Sequence, residues 1–408
     1  MGPPIAAPLD AAGLDAALAP FGHSRMLPAA AYTDDAVLAW EQENLFARSW
    51  VCVGRSADLA GPGEQRAARV GRDGVLLVRG GDGAIGAFAN VCRHRGHELL
   101  ACGATARRGV IQCPYHAWSY ELDGRLRHAP RMGDAAVDPA EHGLAEVAVA
   151  QWRGWCFVDV GGEAPPLAEH VGDLDGLVAP YEPERLVAGA RHTYVVEANW
   201  KVVHENYHEC YHCPLIHPQL CAVSDPGSGD NLAERFGAWV GGSMELEPGA
   251  ATMSMDGTSA GVALRGLDAA RRRQVLYFGL LPNLLISLHP DYVMTHRIEP
   301  LSPGSCRIEC SWLFPPEALE ADGFDPSWAV DFWDLTNRQD WAACESVQRG
   351  IGSRHFRPGP LSSREDAVYD FVTLVARSYR EPDSLWRASA STRRSAEGER
   401  RNREAIST

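Results

Sequence analysis

Two short cysteine–histidine pairs constrain this chain more than any other feature: Cys92-Arg-His94 and Cys113-Pro-Tyr-His116, separated by eighteen residues. Each pair contributes one thiol and one imidazole. A fold that uses all four must present two similar loops to one metal centre. Structural zinc also takes sets of two Cys and two His, but commonly pairs Cys with Cys and His with His along the sequence. Mixed pairs suit a [2Fe-2S] centre in which two histidines replace two cysteines on one iron, which raises the reduction potential above that of an all-cysteine ferredoxin. Gly96 after the first pair, and Pro114, Tyr115 and Trp118 around the second, agree with that reading. A chain carrying such a centre handles single electrons.

At 408 residues the chain is too long for one small core and implies about two to three domains. Its 38 basic and 53 acidic residues leave a net charge of −15, which argues against a nucleic-acid partner. The N-terminal MGPPIAAPLDAAGLDAALAP lacks the basic and apolar regions of a signal peptide, and no apolar run is long enough to span a bilayer. We therefore expect a cytoplasmic protein with no membrane contact. Eleven cysteines, an odd number, then read as reduced thiols plus metal ligands and not as disulfides. Cys210-x2-Cys213 offers half of a zinc or redox site, but no second CxxC partners it.

The texture of the chain divides it. Residues 1–45 read as a helical segment. From 46 to 160 short β-rich runs broken by glycine, with an Asp123-Gly124 hairpin turn, predict a small all-β domain whose loop tips carry the four ligands. A Gly/Pro-rich stretch at 161–170 marks a linker. Residues 161–387 then read as a larger α+β domain. Its strand-rich part, 263–315, is followed by a helix of about 20 residues over SWAVDFWDLTNRQDWAACESVQRGI. Residues 388–408 are polar and charged and are expected to be a disordered tail.

A second metal site is indicated by NWKVVHENYHECYHCPLIHP, residues 199–218, where four of the fifteen histidines fall within fourteen residues. Two histidines and one carboxylate on one face of iron(II) leave positions open for O2. Helical periodicity alone places His204, His208 and His212 on one stripe and favours His208 with His212. For the carboxylate the long helix offers Asp331, Asp334, Asp340 and Glu345. Asp334 and Asp340 lie about 240° apart around a helix axis and cannot share a face.

Taken with Cys92, His94, Cys113 and His116, this segment resembles the large subunit of the Rieske non-haem iron oxygenases, or ring-hydroxylating oxygenases, over about residues 45–380. The resemblance implies a small Rieske [2Fe-2S] domain and a larger catalytic domain built on an antiparallel sheet. It assigns the mononuclear iron to His212, His217 and Asp340, with Pro214 ending the helix between the two histidines. It also makes Glu209 the acid that bridges the iron-bound His212 and the Rieske His116 of a neighbouring subunit, on a helical face shared with His212. It implies an α3 homotrimer in which one subunit's cluster serves the next subunit's iron. Most members acting on aromatic substrates have Asp where this chain has Glu209. The Glu-Cys-Tyr-His-Cys context is similar to the subgroup that oxidises quaternary ammonium compounds such as glycine betaine, carnitine and stachydrine.

The expected function is thus that of a terminal oxygenase which uses O2 to hydroxylate and N-demethylate a small methylated ammonium substrate. Ring hydroxylation and O-demethylation are the alternatives within the family. The chain has neither a Gly-rich dinucleotide fingerprint nor a second iron–sulfur cysteine set. Electrons from NAD(P)H must then arrive through a separate reductase, expected to carry flavin and a plant-type ferredoxin domain. Trp239, Tyr277, Phe278, Tyr292 and Trp312 are candidates for an aromatic cage around the cation. A simple Rieske electron carrier, the reading from another class, needs only about 100 residues and leaves 200–340 unexplained; a zinc-stabilised binding protein leaves the His/Glu-rich segment unused.

Overall fold

The computed structural model describes residues 6–133 and 137–381. The expected tail, 388–408, lies outside the described residues. The described residues form two compact units, one within 41–167 and one made of 6–40 with 168–381.

The smaller unit is built from antiparallel strands. Ile85–Ala89, Asp73–Arg79, Glu64–Val70 and Thr105–Arg107 form one sheet in that spatial order, and Ile111–Gln112, Ser119–Tyr120 and Leu126–His128 a second. A third sheet pairs Val51–Arg55 and Ala148–Trp152 with Trp155–Asp159 between them. The expected turn closes the hairpin of the second sheet, with Gly124 at φ +84°. Only glycine suits that turn, since a β-carbon there would meet the Phe88 ring at 2.4 Å. Leu76, Val78, Phe88, Ile111, Trp118 and Tyr120 form an apolar core shared by the first two sheets, and Cys92 and Cys113 are buried in it.

The larger unit rests on a seven-stranded antiparallel sheet. Its order is Val187–Val196, Ser305–Phe314, Val293–Ser302, Leu284–Leu288, Gln274–Leu280, Trp239–Glu245 and Asp230–Asn231. Three helices position the chemistry. Trp200–Tyr207 is capped by the Asn199 side chain, which accepts from the Lys201 N–H at 3.0 Å, and most of it is buried. Ser327–Ile351 buries Trp333, Thr336, Asn337, Trp341 and Cys344, a stripe at helical spacing. Asp366–Arg380 is buried along most of its length. The N-terminal segment belongs to this unit: the Ala7 N–H donates to Tyr379 O at 2.7 Å, and the Tyr32 hydroxyl donates to Glu205 at 2.6 Å. No helix among the described residues is long and apolar enough to cross a membrane.

Candidate metal sites and substrate cavity

In the smaller unit the two ligand loops follow Ile85–Ala89 and Ile111–Gln112. Their cysteines and histidines divide by environment. Cys92 and Cys113 are buried, whereas His94 is only partly covered and His116 is exposed. The His94 and His116 rings lie 4.8 Å apart, and His94 stacks on Trp118 at 5.0 Å with an interplanar angle of 5°. Burial raises the pKa of Cys113, and the neighbouring Cys92 thiol raises it further, against the lowering effect of the Tyr115 and His116 backbone N–H groups. His94 Nδ1 is buried without a hydrogen-bond partner. An orphaned ring nitrogen beside two buried thiols is costly to leave unpaired and suits a bound metal. The residues therefore fit a [2Fe-2S] cluster with its cysteine side inward and its histidine side outward. Tyr120, which the sequence reading did not single out, places its hydroxyl 3.3 Å from Cys92 Sγ while accepting from the Arg93 N–H at 3.0 Å.

In the larger unit His212 Nε2 and His217 Nε2 are 3.2 Å apart, and Asp340 Oδ1 is 2.8 Å from His217 Nε2 and 3.4 Å from His212 Nε2. Ligands about 2.1 Å from a metal and at right angles to one another lie about 3 Å apart, so these atoms are spaced as one face of an iron site requires. The opposite ring nitrogens fix the tautomer. His212 Nδ1–H donates to Glu209 Oε1, and His217 Nδ1–H to Gln339 Oε1 at 2.8 Å, so both Nε2 lone pairs are free for metal. Burial pulls the His212 imidazole down, but its bonds to Asp340 and Glu209 carry it up to about 9. Burial would raise the Asp340 carboxyl, yet the two imidazoles hold it below the ordinary range. The site attracts positive charge, which a metal dication supplies.

Asp340 lies on the same helical face as Trp333, Thr336 and Asn337, and that face lines the cavity. Asp334 points elsewhere, accepting from the Tyr194 hydroxyl at 2.5 Å and from Arg338 at 2.7 Å. His204 and His208 are buried packing residues. His204 Nε2 meets Pro282 O at 3.1 Å, and burial holds both imidazoles far down and neutral. Gln339 is a partner that the sequence reading missed, although it stands next to Asp340.

Four local expectations are corrected. The helix ends at Tyr207, so His212 does not lie on a stripe with His204 and His208, and Glu209 shares no helical face with it. Pro214 does not end that helix but sits in the first turn of a separate one, Cys213–Ile216. The cause is local competition for backbone donors, because Glu209 Oε2 accepts from the N–H groups of both Tyr211 and His212. The expectation of no disulfide also fails: Cys210 and Cys213 are bonded to each other, closing a turn around Tyr211 and His212.

A cavity of about 310 Å³ adjoins the triad and is lined by His212, His217 and Asp340. Its aromatic lining includes Tyr207, Tyr277, His296, Trp333 and Trp341. Tyr207 meets Tyr277 at 6.0 Å and 79°, Tyr207 meets His296 at 6.0 Å and 71°, and His296 meets Trp341 at 6.0 Å and 89°. These near-perpendicular rings make adjoining walls. Of the five cage candidates only Tyr277 lines the cavity. Trp239, Phe278, Tyr292 and Trp312 are fully buried core and do not line it.

These features define an oxygenase that couples a Rieske cluster to a mononuclear iron. The description "Rieske [2Fe-2S] domain" matches residues 49–149, and "Ring hydroxylating alpha subunit (catalytic domain)" matches 183–381. The glycine betaine monooxygenase oxygenase subunit of Chromohalobacter salexigens is 33% identical over 392 residues, covering 88% of each chain. The carnitine monooxygenase oxygenase subunit of Escherichia coli K12 is 33% identical over 339 residues, covering 81% of this chain and 85% of that one. The apo structure of the quaternary ammonium Rieske monooxygenase CntA superposes with a TM-score of 0.72 at 25% identity, over 88% of this chain and 96% of that one. Rhodococcus naphthalene 1,2-dioxygenase shares the fold, at TM-score 0.67 and 18% identity over 87% and 94% of the two chains. The chain belongs to the Rieske non-haem iron oxygenases, as an oxygenase (alpha) subunit. It is an oxidoreductase whose cofactors are the [2Fe-2S] cluster and a mononuclear iron, which activates O2 in this family.

Proposed function

We propose that this chain is the terminal component of a monooxygenase that hydroxylates an N-methyl group of a small quaternary ammonium compound. One observation carries the reading: the cavity beside the triad is walled by aromatic rings and is acidic. Its lining includes Glu209, Asp230, Asp340 and Asp366 against one arginine, Arg364. Ring faces attract a desolvated cation. Burial pushes His296 down to about 4, so that wall is neutral and does not repel the ligand. The relatives that act on glycine betaine and carnitine support the same substrate class.

In this reading Cys92, His94, Cys113 and His116 hold the cluster, and His212, His217 and Asp340 hold the iron. The aromatic walls hold the ammonium head with one methyl group toward the triad. O2, two electrons and two protons convert N–CH3 to N–CH2OH and water. The hydroxymethyl compound then releases formaldehyde and a proton, leaving a tertiary amine. Glu209 fixes His212 and offers the electron route from a neighbouring subunit's His116. Tyr211 and Leu215, 57% and 88% exposed beside it, provide apolar surface for that neighbour in an α3 trimer. A related structure, at TM-score 0.76 and 24% identity, is described as revealing inter-subunit electron transfer. A separate flavin- and ferredoxin-type reductase supplies electrons from NAD(P)H. The nine free cysteines among the described residues fit a cytoplasmic location.

A substrate panel with a surrogate reductase tests this. Glycine betaine, carnitine and related methylated ammonium compounds should give formaldehyde with matching NADH oxidation. Turnover of arenes without turnover of any methylated amine rejects the reading.

A further inference from the structure

We propose that Cys210 and Cys213 form a reversible thiol–disulfide switch that decides whether the Cys213 sulfur competes for the mononuclear metal. The proposal rests on the assignment of His212, His217 and Asp340 as the metal's ligands. Two observations carry it. The disulfide bridges the residues on either side of Tyr211 and the ligand His212. Cys213 Sγ also lies within 4.8 Å of a ring nitrogen of both His212 and His217, so the sulfur stands beside the metal's ligands.

The bond is poorly placed as a general staple. It spans a sequence separation of only 3, and disulfides that close short loops constrain the unfolded chain least. Its effect is confined to the turn that presents His212. Disulfides in cells that keep thiols reduced are commonly transient and redox-sensing.

Accessibility sets the order of events. Cys210 is partly exposed and Cys213 is buried. A small dithiol or protein dithiol reductant therefore attacks the Cys210 sulfur first, because exchange proceeds at the accessible sulfur. The S–S bond breaks, a mixed disulfide forms on Cys210, and Cys213 leaves as a thiolate. The reductant's second thiol then attacks the mixed disulfide, freeing Cys210. In sum, two electrons and two protons pass from the dithiol to the protein, and the reductant departs as its own disulfide. A Cys213 thiolate released there is a soft ligand that can occupy a position the triad leaves open. In the oxidised form that sulfur is covalently committed and the open positions stay available to O2.

The test uses the full-length enzyme with its cluster, its mononuclear iron exchanged for cobalt(II). In the wild type a sulfur-to-cobalt charge-transfer band should emerge on mild phosphine reduction and vanish on reoxidation. Mass spectrometry after alkylation should show Cys210 and Cys213 blocked before reduction and labelled after it. Cys210→Ser, which leaves Cys213 free, should show the band without reductant, and Cys213→Ser should never show it. The iron-loaded wild type should lose at least tenfold in turnover on reduction and regain it on reoxidation. Identical cobalt spectra in both states, or full alkylation of both residues before reduction, overturn the switch while leaving the ligand set standing. Cobalt(II) that binds in neither state overturns the ligand assignment as well.

Discussion

The two candidate metal sites each offer two histidines for one iron, and they do so by opposite means. At the cluster loops the cysteines are sunk in the core while His116 is exposed and His94 partly covered. Close contacts to sulfur come from the Tyr120 hydroxyl and from backbone N–H groups. At the mononuclear site His217 is buried, His212 is mostly covered, and each imidazole has a side-chain acceptor on its far nitrogen. The cluster loops present their histidines outward, as suits the proposed exchange of electrons with another protein. The second site turns its candidate ligand atoms toward a lined cavity, as suits the proposed meeting with a small substrate.

The largest effects should come from separating the sites. His217→Ala removes a proposed ligand, leaves the Asp340 carboxylate without its nearest partner, and should abolish product formation. Iron should fall from about three to about two atoms per chain, with the reduced-cluster EPR signal unchanged. Cys92→Ser should do the reverse, eliminating that signal while the mononuclear metal stays bound. Loss of both metals in either variant would show that the sites are not held independently.

A smaller effect is expected at Glu209, which touches one site and is proposed to reach the other. Glu209→Gln keeps the shape and an acceptor oxygen but removes the charge. Substrate-dependent oxidation of a pre-reduced cluster should slow roughly 10- to 100-fold, the usual range for losing a carboxylate behind a metal-bound histidine. Both metals should remain. Rapid-mixing absorbance of the cluster gives the rate, and an unchanged rate would leave Glu209 as a holder of His212 alone.

The same contrast explains what could be read from the sequence. Ligand types and their short spacings are local, so both metal motifs and the glycine-broken runs of the β-rich region were legible. What depends on register was not. Tyr277 and Phe278 are neighbours in one strand and their side chains take opposite faces. One lines the cavity and the other is fully buried, and composition does not say which. Gln339 and Tyr120 act through contacts that no spacing encodes. The end of the helix at Tyr207 was missed because histidines at positions 204, 208 and 212 repeat with helical period, while the Glu209 carboxylate takes the backbone donors that a continued helix would use. The disulfide was missed because a count of cysteines says nothing about the turn that brings Cys210 to Cys213.

A further predicted effect, on stability and not on turnover, concerns the interior beyond the candidate iron site. The helix Trp200–Tyr207 carries Glu205 in the buried interior, where it accepts from the Tyr32 hydroxyl. Burial raises its carboxyl from 4.5 to about 7, against the lowering effects of Tyr32 and Lys201. A carboxyl whose folded pKa lies above its unfolded one binds its proton more tightly in the native state. Its stabilising contribution is complete below pH 4.5 and is lost as the pH rises to about 7. The difference amounts to roughly 3 kcal/mol. Glu205→Gln should remove this dependence while retaining an acceptor for Tyr32. Urea unfolding of the larger unit, followed by tryptophan fluorescence between pH 5 and 8, should therefore show the variant gaining on the wild type as the pH rises. Parallel curves for the two proteins would mean that Glu205 is already ionised and paired throughout.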